Sequence, residues 1–213
     1  MNQAHLTIHF SGNITPLGKT MNAFPVSPRF GRILSLSSQQ NLLKFAIAIV
    51  AACTVRELVD ANNDRMKALK ELWADATKSQ LGDLLILLSV IGASESSKDP
   101  EGFISTIGVR SQGLKEVRKL RRLITHVVRQ MLTNDEEEKV LVERGLPQPS
   151  AKECTLLCEL FLSGFGDQIA FHTEEGEYKL PTGEKGKIYP TSVLAKKRPN
   201  VRVSKEDHYL FFV

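Results

Sequence analysis

The sequence predicts a mainly α-helical fold with a small β unit at its C-terminal end, and three features carry that prediction. Residues 45–53 (FAIAIVAAC) and 84–91 (LLILLSVI) are almost wholly apolar, as expected for helices buried on all sides. Residues 112–131 separate basic from apolar positions at helical spacing. Beyond Asp167 the texture changes to short, strand-like runs divided by turn residues. The chain has 213 residues, 42% hydrophobic and 24% charged, enough to bury a substantial core and unlike the composition of a disordered chain.

The elements follow in order. Residues 1–13 alternate polar and apolar side chains, with His5, Leu6, Thr7, Ile8, His9 and Phe10 predicting a short strand that ends at Ser11-Gly12-Asn13. From Thr15 the pattern turns helical, with Pro16 at an early helix position; Pro25 and Pro28 then interrupt it around Phe24 and Val26. A second helix is predicted over 28–40 and a third over 42–59. Ala61-Asn62-Asn63-Asp64 reads as linker and N-cap to a helix over 66–76, where Met66, Leu69, Leu72, Trp73 and Ala76 keep helical spacing. Another buried helix covers 81–93, a polar turn 94–100, and a long helix 112–131. Residues 133–149, with the acidic cluster Asp135-Glu136-Glu137-Glu138 and two prolines, form a loop. Ser150 caps a helix through Leu162, stopped by Gly164 and Gly166. Strands are predicted at 168–172, 177–180, 187–189, 200–203 and 209–213.

Several function classes are excluded at this stage. Gly12 and Gly18-Lys19-Thr20 suggest a phosphate-binding P-loop, but five residues separate the glycines where four are required. Pro16 within the insert has no backbone N–H to offer a phosphate. His5, His9, His126, His172 and His208 are scattered, with no zinc-binding spacing. Cys53, Cys154 and Cys158 form no CxxC pair and read as reduced packing thiols of an intracellular protein. No nucleophile elbow is present. The apolar runs are about half of the ~20 residues a membrane span needs, and the N-terminus lacks the pattern of a signal peptide. The expectation is a chain with no catalytic, metal or cofactor site, no small-molecule substrate and no membrane association.

The net charge of +4 mildly favours anionic partners. Its clustering says more. On a helical wheel Lys115, Arg118, Lys119, Arg122, His126 and Arg129 fall within one stripe of about 100°. Leu114, Val117, Leu120, Ile124, Val127, Val128 and Met131 occupy the opposite side. Such a stripe is either a solvated face or a surface that tracks phosphates, giving affinity with little sequence preference. Arg121 projects toward the apolar side, where its guanidinium needs a structural carboxylate or an RNA phosphate as partner.

Ordered along the chain, Ile14-Thr15-Pro16-Leu17-Gly18-Lys19-Thr20-Met21-Asn22-Ala23-Phe24-Pro25-Val26-Ser27-Pro28 closely resembles L-T-x-L-G-x-x-M-A-x-F-P-L-x-P, the segment that follows the motor in DEAH-box RNA helicases. AIAIVAACTVREL (46–58) is similar to the ribosome-biogenesis branch, the nucleolar helicases of small-subunit precursor RNA. LGDLLILLSVIGA (81–93) and Val117-Arg118-Lys119-Leu120-Arg121-Arg122 resemble helices of the ratchet domain. LSGFGDQIA (162–170) and Ile188-Tyr189-Pro190-Thr191-Ser192-Val193-Leu194 resemble the start of the OB-type barrel.

The resemblance implies a truncated winged-helix-like segment over 1–60, a helical ratchet domain with an acidic linker at its end over 61–149, and a connecting helix with a partial OB fold over 150–213. Tyr189 stands where the family usually has His, MNQAHLTIHFSG replaces the helical entry to the winged helix, and the barrel is expected to lack its last strands. By resemblance the chain is the RNA-guiding part of a helicase without its engine: ATP and magnesium belong to absent motor domains, and no ATPase or unwinding activity is expected from this chain alone. Single-stranded RNA is the implied partner, held by Lys115, Arg118, Arg121 and Arg122 along the passage and by Thr191 and Ser192 as small hydroxyl donors. The alternative is a protein-interaction module that docks on helicase motor domains or their activator. The implied localisation is the nucleus and nucleolus.

Overall fold

The computed structural model describes residues 12–55, 58–59, 82–131, 146–173, 178–186, 192 and 209–211. The predicted N-terminal strand, the helix over 66–76, the acidic cluster and the strands over 187–189 and 200–203 lie outside them.

Helix α1 (Pro16–Ala23) begins where Thr15 Oγ1 accepts the Gly18 N–H at 3.0 Å, with Pro16 in the first turn where its missing N–H costs nothing. Gly18-Lys19-Thr20 therefore sits in the body of a helix, and the Gly18 amide is already occupied. Pro28 opens α2 (Pro28–Ser37) in the same way, and a 3-10 turn (Ser38–Gln40) ends at Asn41, whose φ of 57° reverses the chain. Helix α3 (Leu43–Thr54) is buried continuously from Phe45 to Ala52 and lies at the centre, packed on α2, on α4 (Asp83–Ser96) and on α6 (Ser111–Met131). It stops five residues short of its predicted end, because Val55 turns extended and Val59 forms a bridge with Val109.

Helix α4 runs three residues into the predicted turn, as far as Ser96. Its buried serines do not break it, since the Ser89 and Ser94 hydroxyls donate to the Ile86 and Ile91 carbonyls at 2.8 Å. Helix α5 (Pro100–Ile107) is not among the predicted elements although it is fully signalled: Asp99 Oδ1 accepts the Gly102 N–H at 3.0 Å, Pro100 takes the first position, and Gly108 closes the helix at φ 70°. Helix α7 (Ala151–Phe165) starts with a reciprocal capping box between Ser150 and Glu153. It continues through Gly164 rather than stopping there, because that glycine serves helix contact: a Cβ would lie 2.8 Å from Ile33 Cδ1 on α2.

The core is contiguous from Phe24 to Phe165. Ile33, Leu34, Phe45, Ile49, Leu88, Ile91, Leu114, Ile124 and Phe161, drawn from five helices, are each at most 1% exposed. Each such side chain contributes ~1.5–3 kcal/mol by leaving water. This cluster draws residues from both sides of the positions 60/61 and 149/150.

The β unit is a small open antiparallel sheet in the order β3 (Lys185–Gly186), β2 (Tyr178–Lys179), β1 (Ile169–His172), β4 (Tyr209–Phe211). The described strands do not close into a barrel. The β2–β3 register follows from a tight turn in which Gly183 adopts φ 86° and Leu180 N–H donates to Glu184 O at 2.9 Å. Arg29 ties this unit to α2. Its guanidinium bonds both oxygens of Asp167, just before β1, while lying over the Phe165 ring at 5.6 Å. Among the described residues no helix is long and apolar enough to cross a membrane.

Candidate nucleic-acid interface

Helix α6 is held rigidly along one side. Leu114, Val117, Ile124 and Val128 are buried, and Leu120 and Val127 are partly so. Its N-terminal turn is fastened twice: Arg110 N–H donates to Leu58 O at 3.0 Å, and Gly113 lets the helix lie against Leu58 and Val55. A side chain at Gly113 would meet Leu58 Cδ1 at 3.3 Å.

The opposite side faces solvent. Lys115, Lys119, Arg122, His126 and Arg129 are exposed, and Arg118 is half-buried. Six cationic side chains (Lys115, Arg118, Lys119, Arg121, Arg122, Arg129) stand on this helix against one carboxylate, Glu116. That surplus exceeds the +4 of the whole chain, so the rest of the molecule is slightly acidic and the positive field is concentrated here. Gln112 Nε2 donates to Glu116 Oε1 at 3.2 Å, and His126 Nε2 pairs with Gln130 at 3.1 Å. From Lys115 to Arg129 the stripe is ~21 Å long at 1.5 Å per residue. Leu123, 46% exposed, borders it.

Arg121 does not share this face. Its guanidinium ion-pairs with Glu95 on α4, and the two side chains are 13% and 11% exposed. Of the alternatives open for Arg121, the structure shows the carboxylate partner. The pair is one-sided, since Glu95 Oε2 is buried without a hydrogen-bond partner. Arg121 thus fixes α6 against α4 and sets the direction in which Lys115, Arg118 and Arg122 project.

Ser192 is half-buried, and Thr191 lies outside the described residues. Three features escaped the sequence analysis. The Arg29–Asp167 contact spans 138 positions, and no local pattern announces it. Gly31 permits the α1–α2 crossing, where a Cβ would stand 2.8 Å from the Met21 carbonyl oxygen. Phe171 is 48% exposed on β1, a position that strand alternation from the buried Ala170 would have revealed.

The model of the helicase-associated domain (HA2), ratchet-like, matches residues 27–87, the stretch that includes α2, α3 and the start of α4 and crosses the expected boundary at 60/61. The human probable ATP-dependent RNA helicase DHX37 is 32% identical over 220 residues, covering 91% of this chain and 19% of that protein. The Drosophila melanogaster probable ATP-dependent RNA helicase kurz is 34% identical over 173 residues, covering 74% of this chain and 14% of that protein. The chain therefore spans less than a fifth of the length of these relatives. By the domain it carries and the relatives it matches over most of its length, this chain belongs with the C-terminal, ratchet-bearing region of the DEAH-box ATP-dependent RNA helicases.

Proposed function

We propose that this chain is a sequence-tolerant RNA-binding accessory module of a DEAH-box ATP-dependent RNA helicase, linked to rRNA processing and ribosome biogenesis and acting in the nucleus, within the nucleolus. The observation that carries this is the α6 stripe: a line of exposed cations on a helix whose other side is anchored in the core. Lys115, Arg118, Lys119, Arg122 and Arg129 neutralise RNA phosphates and release counterions, which gives affinity without base preference. Arg121 acts as a positioning residue through Glu95. Thr191 and Ser192 add neutral donors to the strand, and the open sheet is part of an OB-type barrel. The first helices belong to a winged-helix-like segment. Nucleotide, magnesium and hydrolysis belong to the motor domains of such a helicase, and this module guides the strand those domains pull.

A second reading, docking on motor domains or an activator protein, is favoured by Leu123, an apolar side chain half-exposed beside the stripe. Charge reversal at Lys115, Arg118 and Arg122 separates the two. In a titration with a labelled single-stranded oligoribonucleotide and a pull-down with a helicase motor core, the first reading expects RNA binding to be lost and core binding to survive. The opposite pattern refutes it and favours the second.

A further inference from the structure

A second surface, on the β unit, has a different chemistry from the α6 stripe. Strand registers place Phe171 of β1 opposite Lys179 of β2, and Lys179 opposite Lys185 of β3, so the three residues form one row across the sheet. Cross-strand partners share a face, and all three side chains are exposed, with Phe171 at 48%. The neighbours on either side alternate inward: Ala170 is fully buried, and Tyr178 is half-buried, its phenol pKa raised by that burial. The row is therefore the outward face of the sheet. On its β4 side, Tyr209 is the register partner of Phe171.

Strands lie ~4.8 Å apart, so the row steps from an aromatic ring to two ammonium groups within ~10 Å. A flat apolar face flanked on one side by cations matches an unpaired nucleotide: the base stacks on the ring and the adjoining phosphates meet the lysines. The fit to a protein partner is poor, since a stable protein interface buries ~800 Å² per side and, among the residues of β1, β2 and β3 with described side chains, Phe171 is the sole large exposed hydrophobic. Glu184 is exposed in the turn before β3, one residue off the row.

We infer that the outward face of this sheet, through Phe171, Lys179 and Lys185, is a stacking platform for a base of single-stranded RNA, separate from the phosphate-tracking stripe of α6. The inference rests on the RNA-binding reading above and gives that reading a base-stacking contact the stripe cannot supply. It also requires single-stranded RNA to bind better than duplex, whose bases are unavailable for stacking.

The test is fluorescence anisotropy of the full chain with a labelled single-stranded oligouridylate and with a duplex RNA of equal length. Phe171→Ala and the volume-keeping Phe171→Leu should each weaken single-strand binding about tenfold, with Phe171→Trp restoring it. The slope of log affinity against log salt should be unchanged in all three, because stacking releases no counterions. Lys179→Glu with Lys185→Glu should instead flatten that slope by ~1.4. Cross-linking through 4-thiouridine in the strand should label the peptide containing Phe171. If the Phe171 variants, melting like the parent, bind as the parent does while reversal at Lys115, Arg118 and Arg122 abolishes binding, the platform is refuted and the α6 reading stands. If the unaltered chain binds no RNA at low salt, both fall together.

Discussion

Arg121 on α6 and Glu95 on α4 form an ion pair almost withdrawn from water, one carboxylate oxygen of which has no hydrogen-bond partner. Removing one partner strands the other charge. Arg121→Ala or Glu95→Ala should each destabilise the chain by ~3 kcal/mol, read as a lower urea midpoint. Replacing both, Arg121→Met with Glu95→Leu, should recover most of that loss, because the pair is incompletely satisfied to begin with. A double variant as unstable as the sum of the single ones would contradict this account.

Gly31 and Gly164 allow α2 to approach its neighbours more closely than any side chain permits. Elsewhere in a helix Gly→Ala gains up to ~1 kcal/mol of propensity. Here the added methyl meets Met21 O or Ile33 at 2.8 Å, so Gly31→Ala and Gly164→Ala should cost ~1–3 kcal/mol and lower the melting temperature. Gly31→Ala should be the worse of the two, since a backbone carbonyl yields less readily than the end of an isoleucine.

The hydrogen bond from Arg29 holds the Asp167 carboxyl below its usual range, and the Arg29 charge adds to this. A depressed carboxyl stabilises the fold above its unfolded pKa, ~3.9, and loses that contribution as pH falls through the lower folded value. The stability difference between the parent and Asp167→Asn should therefore be constant from neutral pH to about 5 and vanish under stronger acid. The contact is exposed, so added salt should shrink the difference.

Burial pushes the Cys53 thiol up to about 12. Cys158 is likewise pushed up to about 12, by burial first and then by Cys154 and Glu159. At pH 8 almost no thiolate is present at either, so iodoacetamide should modify them slowly in the folded chain and quickly in denaturant. Rapid modification of Cys158 without unfolding, detected by mass spectrometry, would show that α7 is not packed as described.

The central helices were legible because burial leaves a direct trace in sequence: a helix surrounded by core, such as α3, has no polar stripe to write. The two sides of α6 were equally plain from spacing alone. Helix ends were less so. Val55 is apolar like the residues before it, and its turn to extended backbone is set by the Val59–Val109 bridge, a tertiary event. Gly164 reads as a stop because a glycine that ends a helix and one that admits a neighbour look alike until the neighbour is known. The miss at α5 has no such excuse, since Asp99-Pro100 and Gly108 bracket it with ordinary capping chemistry. For the candidate site, the exposed cations were readable, whereas the partner of Arg121 lies 26 residues away and the Phe171 row exists only once strand register is fixed.

The central claim is that α6 grips a polynucleotide through its phosphates, and the salt dependence of RNA affinity tests it most directly. With about five phosphate contacts, affinity for a single-stranded oligoribonucleotide should fall on the order of a hundredfold between about 50 and 200 mM salt. Reversal of Lys115, Arg118 and Arg122 should remove most of the binding and flatten the slope by at least ~2. A folded chain whose RNA affinity is the same at both salt concentrations, or is unaltered by the reversal, would contradict the account.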